Sequence, residues 1–259
     1  MELIRLFIRL PLLLLSTLIH VILILALYPL RYVGNTHSYT MGVITKNWGR
    51  TMLYITGGSI RIHGTPPNPP FFLTSNHLSY ADIWVLFTCL RATFIAKHDL
   101  KDWPIMGLAM RLGGIIFINR TEKSDIHRVN QLISRALHQP RGLIVFPEGT
   151  TTIGTDLIPY HSPLFEIPAS LNHPVHSVII TYANKKGEDR SLEGKSYVSW
   201  WDETSFSKHF LNLIRQPGYQ ASVHFSEKSW ESTSRKKLRN DVFSWSSQQY
   251  AALKMKSTH

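Results

Sequence analysis

Hydrophobic residues are arranged in two different ways along this chain of 259 residues. From Leu10 to Leu30 the chain is almost wholly apolar, with Ser16, Thr17 and His20 as its polar exceptions. Further on, short apolar runs of strand length alternate with segments whose apolar residues recur at helical spacing. The first arrangement predicts a helix that enters a membrane, and the second predicts βαβ units in a sheet covered by helices.

The alternating part of the chain predicts an α/β fold with a mixed, mostly parallel sheet flanked by helices. Residues 1–57 are expected to form an N-terminal membrane anchor, and residues 58–259 an α/β domain ending in a basic helix from about Ser234. The predicted strands are 59–63, 71–74, 92–96, 115–118, 143–146 and 178–182, and the clearest predicted helices are 80–90 and 124–138.

The apolar N-terminal run is compatible with a signal peptide or with a retained anchor. Its length and the absence of an Ala-x-Ala cleavage site favour a retained anchor. Arginines stand at both ends, Arg5 and Arg9 before the run and Arg31 after it, so their distribution gives no orientation. The moderately apolar segment 38–56 is a candidate second helix, which leaves open a single span or a re-entrant helix pair.

The formal net charge of +11 indicates an anionic partner, which is a nucleic acid, an anionic membrane surface or a phosphorylated substrate. Nucleic acid is disfavoured because the chain has no zinc-finger spacing, no RNP-like motif and no long basic run. The basic residues at 235–239 fit either a solvated helix face or a surface for anionic lipid headgroups. The single cysteine, Cys89, fits a reducing compartment and is expected to be a core residue.

The most informative polar pair is His77 and Asp82, five positions apart after an apolar run. On one continuous helix these side chains would point about 140° apart. They converge only if His77 lies in a turn and Asp82 lies in the first turn of the next helix. Asp82 would then hold one imidazole nitrogen and leave the other to act as a general base. Alternatively, Ser79-x-x-Asp82 is a helix capping box.

Polar residues follow three predicted strands, at 76–77, 119–120 and 147–150. Since active sites of open α/β sheets lie beyond the carboxyl ends of strands, these residues are expected to share one rim. Arg120 could hold a phosphate, and Gly149 would let the backbone approach a ligand and offer N–H groups to an oxyanion. The chain has no nucleophile elbow, Walker loop or dinucleotide fingerprint. His173 and His176 lack further ligands at metal spacing.

The chain resembles the glycerolipid acyltransferases typified by 1-acylglycerol-3-phosphate acyltransferase. Four blocks match that family in order, at residues 76–82, 114–120, 146–150 and, more loosely, 174–179. The similarity covers about residues 58 to 185 and the apolar N-terminus.

The resemblance implies that His77, oriented by Asp82, takes a proton from the hydroxyl of a lysolipid. It implies acceptor binding by Arg120, Glu148, Gly149 and Thr150, and no metal or cofactor beyond the acyl-CoA or acyl-carrier protein co-substrate. Its first expected product is phosphatidic acid from 1-acyl-sn-glycerol-3-phosphate. The expected location is the bacterial inner membrane, with the active site on the cytoplasmic face and anionic lipids as partners.

Departures from the family pattern bear on the acceptor. Thr151 stands where the family often has Arg or Ser, and 160–163 replaces a common Phe-Lys-x-Gly turn. Residues 199–202 and 208–210 are similar to bacterial lyso-ornithine lipid acyltransferases, which makes lyso-ornithine lipid the alternative acceptor. A thioesterase and a non-catalytic lipid-binding protein are the remaining alternatives.

Overall fold

The computed structural model of the protein describes residues 1–103, 106–119, 122, 125–184 and 191–257. Its α-helices are α1 (Glu2–Leu27), α2 (Thr36–Ile55), α3 (Ala81–Cys89), α4 (Met106–Leu112), α5 (Asp125–Ala136), α6 (Glu166–Ser170), α7 (Phe206–Arg215) and α8 (Arg235–Ser257). Its strands are β1 (Ser59–His63), β2 (Phe72–Ser75), β3 (Ala92–Lys97), β4 (Ile116–Ile118), β5 (Gly142–Val145), β6 (Val175–Asn184) and β7 (Tyr219–Phe225).

The strands form one sheet in the order β1-β7-β6-β2-β5-β3-β4. Neighbouring strands are parallel except β6 and β7, which run antiparallel. The predicted mixed, mostly parallel sheet flanked by helices is therefore confirmed. The carboxyl ends of β2, β5, β3 and β4 lie along one edge, which is where the polar residues after β2 and β5 come together.

Hydrophobic side chains cover both faces of the sheet because successive strand residues point to opposite sides. Leu73 and Ile144 face a core shared with α2, α3 and α7. Phe72 and Leu143, one position earlier on the same strands, face a second core shared with α5, α6 and α8. The sheet is thus the middle of three layers, and the turn after β2 opens beside α3.

The two N-terminal helices pack along the first layer. α1 and α2 share a small core of Val21, Ile24, Met41 and Ile44 with α4. The opposite side of α1 exposes large apolar residues, including Leu15 and Ile22, each 54% exposed. Within the described residues, Glu2–Tyr32 is long and apolar enough to cross a membrane, judged by length and composition.

The sequence-based prediction lacked α4, α6, α7 and β7 among the described helices and strands. β7 alternates strictly between buried and half-buried residues, which is a period-two pattern that the sequence contains. α7 follows the Trp-rich stretch at 199–202 and is strongly amphipathic. The predicted basic C-terminal helix is present as α8, and its buried residues Leu238, Val242 and Tyr250 fasten one side of it to the domain.

Candidate active site

The site begins where β2 ends. Ser75 is the last residue of β2 paired with β6, opposite Val178. The Asn76 side chain then continues the pairing, because its amide donates to the Ile180 carbonyl at 2.9 Å and its oxygen accepts the Ile180 N–H at 2.7 Å. A side chain therefore replaces the next backbone rung, which frees the chain to turn at His77.

His77 and Asp82 meet as the five-residue spacing requires. His77 lies in the turn after β2, Asp82 lies in the first turn of α3, and His77 Nδ1 is 2.8 Å from Asp82 Oδ2. A carboxylate only accepts hydrogen bonds, so Nδ1 carries the proton and Nε2 keeps its lone pair. The His77 side chain is 21% exposed, and its ring stacks on Phe146 with centroids 4.0 Å apart. The imidazole is thus fixed in plane, with one nitrogen available to a ligand.

Asp82 also accepts backbone hydrogen bonds as a capping residue would, and this role is compatible with its contact to His77. Asp82 Oδ2 accepts the backbone N–H groups of Leu78 at 2.7 Å and Ser79 at 3.0 Å. The Ser79 hydroxyl, however, accepts from the Ala81 N–H rather than from Asp82, so the box is incomplete. One buried carboxylate oxygen therefore holds both the loop and the imidazole.

Glu148 stands behind His77 and is 1% exposed. Its Oε1 accepts the backbone N–H of His77 at 3.0 Å. Burial raises the pKa of Glu148 to about 8, while hydrogen bonds from the His77 and Ile158 backbone oppose that rise and the nearby Asp82 charge adds to it. The structure thus brings Glu148 to the turn that carries His77 through a main-chain contact. Its expected contact with an acceptor stays a prediction.

Of the remaining predicted site residues, Gly149 and Thr150 lie in the turn after β5, and Arg120, the expected phosphate ligand, lies outside the described residues. Gly149 has a φ of 77°, which favours glycine, and its N–H donates to the Phe146 carbonyl at 3.1 Å in a tight turn. Thr150 is exposed beside it. The loop continues against the site, since the Thr152 N–H donates to the His77 carbonyl at 2.9 Å.

A segment far along the chain contacts the turn that carries His77. The Trp200 N–H donates to the Leu78 carbonyl at 2.8 Å. His209 Nε2 donates to the Ser199 carbonyl, so its Nδ1 accepts the hydroxyl of Tyr80 at 2.9 Å. Burial lowers the pKa of His209, in keeping with a neutral ring. Residues 199–210 thus contact the same loop that carries His77.

No group of three or more His, Cys, Asp or Glu side chains is placed to hold a metal ion within the described ranges. His173 Nδ1 donates to the Pro174 carbonyl at 2.9 Å, so it is engaged locally.

Comparison with known proteins identifies the family of this site. The acyltransferase family model matches residues 59–181, which contain the catalytic turn and Glu148. The lyso-ornithine lipid O-acyltransferase of Pseudomonas aeruginosa is 32% identical over 181 residues, covering 70% of this chain and 67% of that protein. The chain belongs to the acyltransferase family.

Two further relatives are named for different acceptors. The lyso-ornithine lipid O-acyltransferase of Rhizobium meliloti is 31% identical over 71% of this chain, and the match spans 66% of that protein, about two thirds. The 1-acyl-sn-glycerol-3-phosphate acyltransferase of Neisseria meningitidis is 28% identical over 54% of this chain and 56% of that protein. The family resemblance inferred from the sequence is thus confirmed.

The fold has a counterpart among solved structures. The crystal structure of the 1-acyl-sn-glycerophosphate acyltransferase PlsC from Thermotoga maritima superposes with a TM-score of 0.60, covering 95% of this chain and 98% of that one. At 18% identity this likeness establishes a shared fold, with the N-terminal helices included in the matched length.

Sequence reasoning missed Tyr182 as a site residue, and it placed Asn76 and Phe146 in motif blocks without the contacts that they make. Each acts through a partner on another element, and only the strand register brings the partners together. The Tyr182 hydroxyl donates to Asp82 Oδ1 at 2.6 Å from 100 positions away in the sequence. No local spacing indicates that contact.

Proposed function

We propose that this protein is a membrane-associated lysolipid O-acyltransferase in which His77 is the general base. The observation that carries the proposal is the 2.8 Å contact between His77 Nδ1 and the buried Asp82, which leaves Nε2 at the accessible side of the ring. Family membership supplies the reaction class, and the geometry supplies the group that can start it.

The proposed reaction needs one proton carrier and no covalent enzyme intermediate. His77 Nε2 takes the proton of the acceptor hydroxyl while that oxygen attacks the thioester carbonyl carbon. The tetrahedral adduct collapses, the carbon–sulfur bond breaks, and the leaving thiolate takes the proton back from the imidazolium. Asp82 stabilises the transient positive charge on the ring. Base assistance of this kind is worth about a hundred- to ten-thousandfold in rate.

The other residues of the motifs are assigned to substrate binding. Thr150, exposed at the mouth, and Arg120 are proposed to contact the acceptor headgroup. Gly149 shapes the turn that lets the chain approach the reacting carbonyl. Glu148 is proposed to act from behind the site by fixing the His77 backbone through its Oε1. The acyl donor is acyl-CoA or acyl-carrier protein, and no resident cofactor or metal is invoked.

Lyso-ornithine lipid is the acceptor we favour. The match to the Rhizobium meliloti lyso-ornithine enzyme extends over 193 residues, against 142 for the Neisseria meningitidis glycerol-phosphate enzyme. Residues 199–202, whose sequence resembles that subfamily, contact the turn that carries His77 through the Trp200 N–H.

1-Acyl-sn-glycerol-3-phosphate, the first expectation from the sequence, is the second candidate acceptor. The position of Arg120 in the second motif and the glycerol-phosphate enzymes among the relatives favour it.

Membrane association is proposed on the exposed apolar side of α1. Residues there include Leu12, Leu15, Leu18 and Ile22, which water would solvate poorly. Lysolipid acceptors reside in bilayers, so an enzyme held at the surface meets its substrate without extraction. We place the protein at the inner membrane of a bacterium with its site on the cytoplasmic face.

The test is product identification. Purified protein in mixed micelles receives a labelled acyl-CoA, or a labelled acyl-carrier protein, with lyso-ornithine lipid, lysophosphatidic acid, another lysophospholipid or no acceptor. The proposal expects a labelled diacylated lipid and thioester consumption only when an acceptor is present, fastest with lyso-ornithine lipid. Acceptor-independent release of free fatty acid would identify a thioesterase instead. Lysolipid binding without product would identify a lipid-binding protein.

A further inference from the structure

Tyr182 is a fully buried tyrosine whose polar end contacts the candidate catalytic carboxylate. It is 0% exposed on β6, and its hydroxyl donates to Asp82 Oδ1 at 2.6 Å. The strand register explains how it arrives there. β2 ends at Ser75, opposite Val178, while β6 continues to Asn184. Since side chains alternate, Tyr182 points to the same face as Val178, where α3 carries Asp82.

The two oxygens of Asp82 have different partners. Oδ2 accepts from His77 Nδ1 and from the Leu78 and Ser79 backbone. Oδ1 accepts from Tyr182. Because Asp82 is 0% exposed, water is not at hand to replace a missing donor. The phenol therefore satisfies the half of the carboxylate that faces away from the imidazole.

We propose that Tyr182 is a positioning residue of the acyl-transfer reaction, which acts by holding the Asp82 carboxylate in the orientation that His77 requires. This inference rests on the proposed function. Tyr182 lies in none of the segments that motif reasoning assigned to the site. Its hydroxyl touches the carboxylate and not the substrate.

The physical effect of this hydrogen bond has a direction. Burial, and then the Asp82 charge, keep the pKa of the Tyr182 phenol above its ordinary value, so the hydroxyl remains a donor. Its donation draws negative charge from the carboxylate and fixes rotation about the carboxyl axis. Without it, Asp82 would attract the imidazole proton more strongly, and the protonated ring would persist to higher pH. The acid limb of the pH–rate profile should therefore move to higher pH.

The chain supplies a matched control in Tyr219. Its ring packs against that of Tyr182 with centroids 5.7 Å apart, and it is equally buried, at 1% exposed. Its hydroxyl instead lies 3.2 Å from the Thr56 hydroxyl at the end of α2. Replacing either tyrosine by phenylalanine removes one buried hydroxyl and keeps the aromatic packing. Only the Tyr182 replacement removes a hydrogen bond to Asp82.

The experiment compares Tyr182→Phe, Tyr219→Phe and wild type in full-length protein, measuring kcat and KM with the preferred lysolipid across pH, and Tm. We expect kcat of Tyr182→Phe to fall about 10- to 100-fold with little change in KM, since misplacement of a catalytic base has that scale of effect. Its acid limb should move to higher pH. Tyr219→Phe should lose Tm comparably and keep the wild-type kcat and pH profile.

Two outcomes would overturn the inference while leaving the proposed function intact. In one, Tyr182→Phe keeps wild-type kcat and pH profile. In the other, both variants lose kcat equally and in step with Tm, which would show that the hydroxyl only stabilises the fold. If the wild-type protein makes no acylated lipid, the proposed function itself is contradicted. The wild-type reaction in the same experiment therefore separates failure of the proposed function from failure of the role of Tyr182.

Discussion

At the scale of single residues, Asp82 combines two tasks that the sequence presents as alternatives. Its Oδ2 accepts two backbone N–H groups of the turn and the His77 imidazole. A residue that only capped α3 would not need the fourth donor that Tyr182 brings to Oδ1. A carboxylate with four donors and no exposure is held in one orientation, which suits a group that must orient a base.

Asp82→Asn tests that arrangement. The amide can place its oxygen toward the backbone donors, but it carries no charge to stabilise an imidazolium. We expect turnover to fall about 100-fold or more, with a loss of about 1–3 kcal/mol in the free energy of unfolding. Steady-state kinetics and denaturation in the same detergent measure both. A variant with wild-type turnover would remove Asp82 from the mechanism.

Glu148→Gln tests how much the buried carboxyl group of Glu148, behind His77, lowers the stability of the fold. The folded-state pKa of about 8 lies above the ordinary value of 4.5, so the folded protein binds more protons than the unfolded chain between those values. The stability of wild type should therefore decline as pH rises from about 4.5 to 8. Glutamine does not titrate and can still accept the His77 N–H. Relative to wild type, the free energy of unfolding of the variant should therefore rise by roughly 2–4 kcal/mol as pH increases across that interval.

Denaturation of both proteins at a series of pH values measures this difference. Parallel stability curves for wild type and Glu148→Gln would show that Glu148 stays ionised in the fold.

The sequence could predict the His77–Asp82 pair because five residues suffice to define it. It could not predict Asn76 bridging to Ile180 or Tyr182 reaching Asp82. Those contacts depend on the register between β2 and β6, which are about 100 residues apart. Local patterns carry no information about such a register, so the contacts behind His77 and Asp82 become visible only in the folded structure.

At the scale of elements, the N-terminal helix is joined to the catalytic domain by hydrogen bonds as well as by packing. The Arg9 guanidinium donates to the carbonyls of Ile214 at 3.0 Å, Gln216 at 2.6 Å and Pro217 at 3.2 Å. These carbonyls close α7, where a helix terminus attracts positive charge. α7 in turn carries His209, whose ring accepts the Tyr80 hydroxyl within the catalytic turn. α1 and the candidate site are therefore two contacts apart.

Arg9→Met should loosen α1 from α7. It keeps most of the side-chain volume and removes the charged donors, and we expect a loss of about 1–3 kcal/mol in unfolding free energy. Cleavage by a protease in residues 28–35 should become faster. Arg31→Met is the control, because Arg31 lies in a short 3-10 helix, Tyr28–Tyr32, and the contacts described for it are to Tyr28 and Tyr32 in that helix. Equal behaviour of the two variants would contradict the role of Arg9.

Local patterns located most of the strands and longer helices, but α7 and β7 were missed although their patterns are also local. Apolar runs located β1 to β6 to within a few residues, and helical spacing located α3, α5 and α8. β7 alternates regularly but was missed together with α7, the helix directly before it. Its antiparallel pairing with β6 depends on contacts across about 40 residues. The same pairing moves β1 to the sheet edge, which no local pattern indicates.

At the scale of the whole molecule, the exposed side of α1 is the surface that we assign to the membrane. Substituting Leu15→Asp and Ile22→Asp together should weaken retention on lipid vesicles, since a carboxylate near the centre of a helix in a bilayer costs about 2–3 kcal/mol. Flotation of vesicles with bound protein measures the bound fraction. Both side chains are 54% exposed, so the fold should survive.

Gln248→Asp provides the control for charge alone, because Gln248 is exposed on α8. The control should float as wild type does. If the α1 double variant floats equally well, another surface holds the protein at the membrane.

The central claim is that His77, at this edge of the sheet, is the general base when the protein acylates a lysolipid. His77→Ala tests this claim most directly. The measurement is turnover of labelled acyl thioester with lyso-ornithine lipid or lysophosphatidic acid, alongside lysolipid binding by the same variant. The account predicts intact binding and a loss of turnover of about 100-fold or more. Turnover near that of wild type in the folded variant would contradict it.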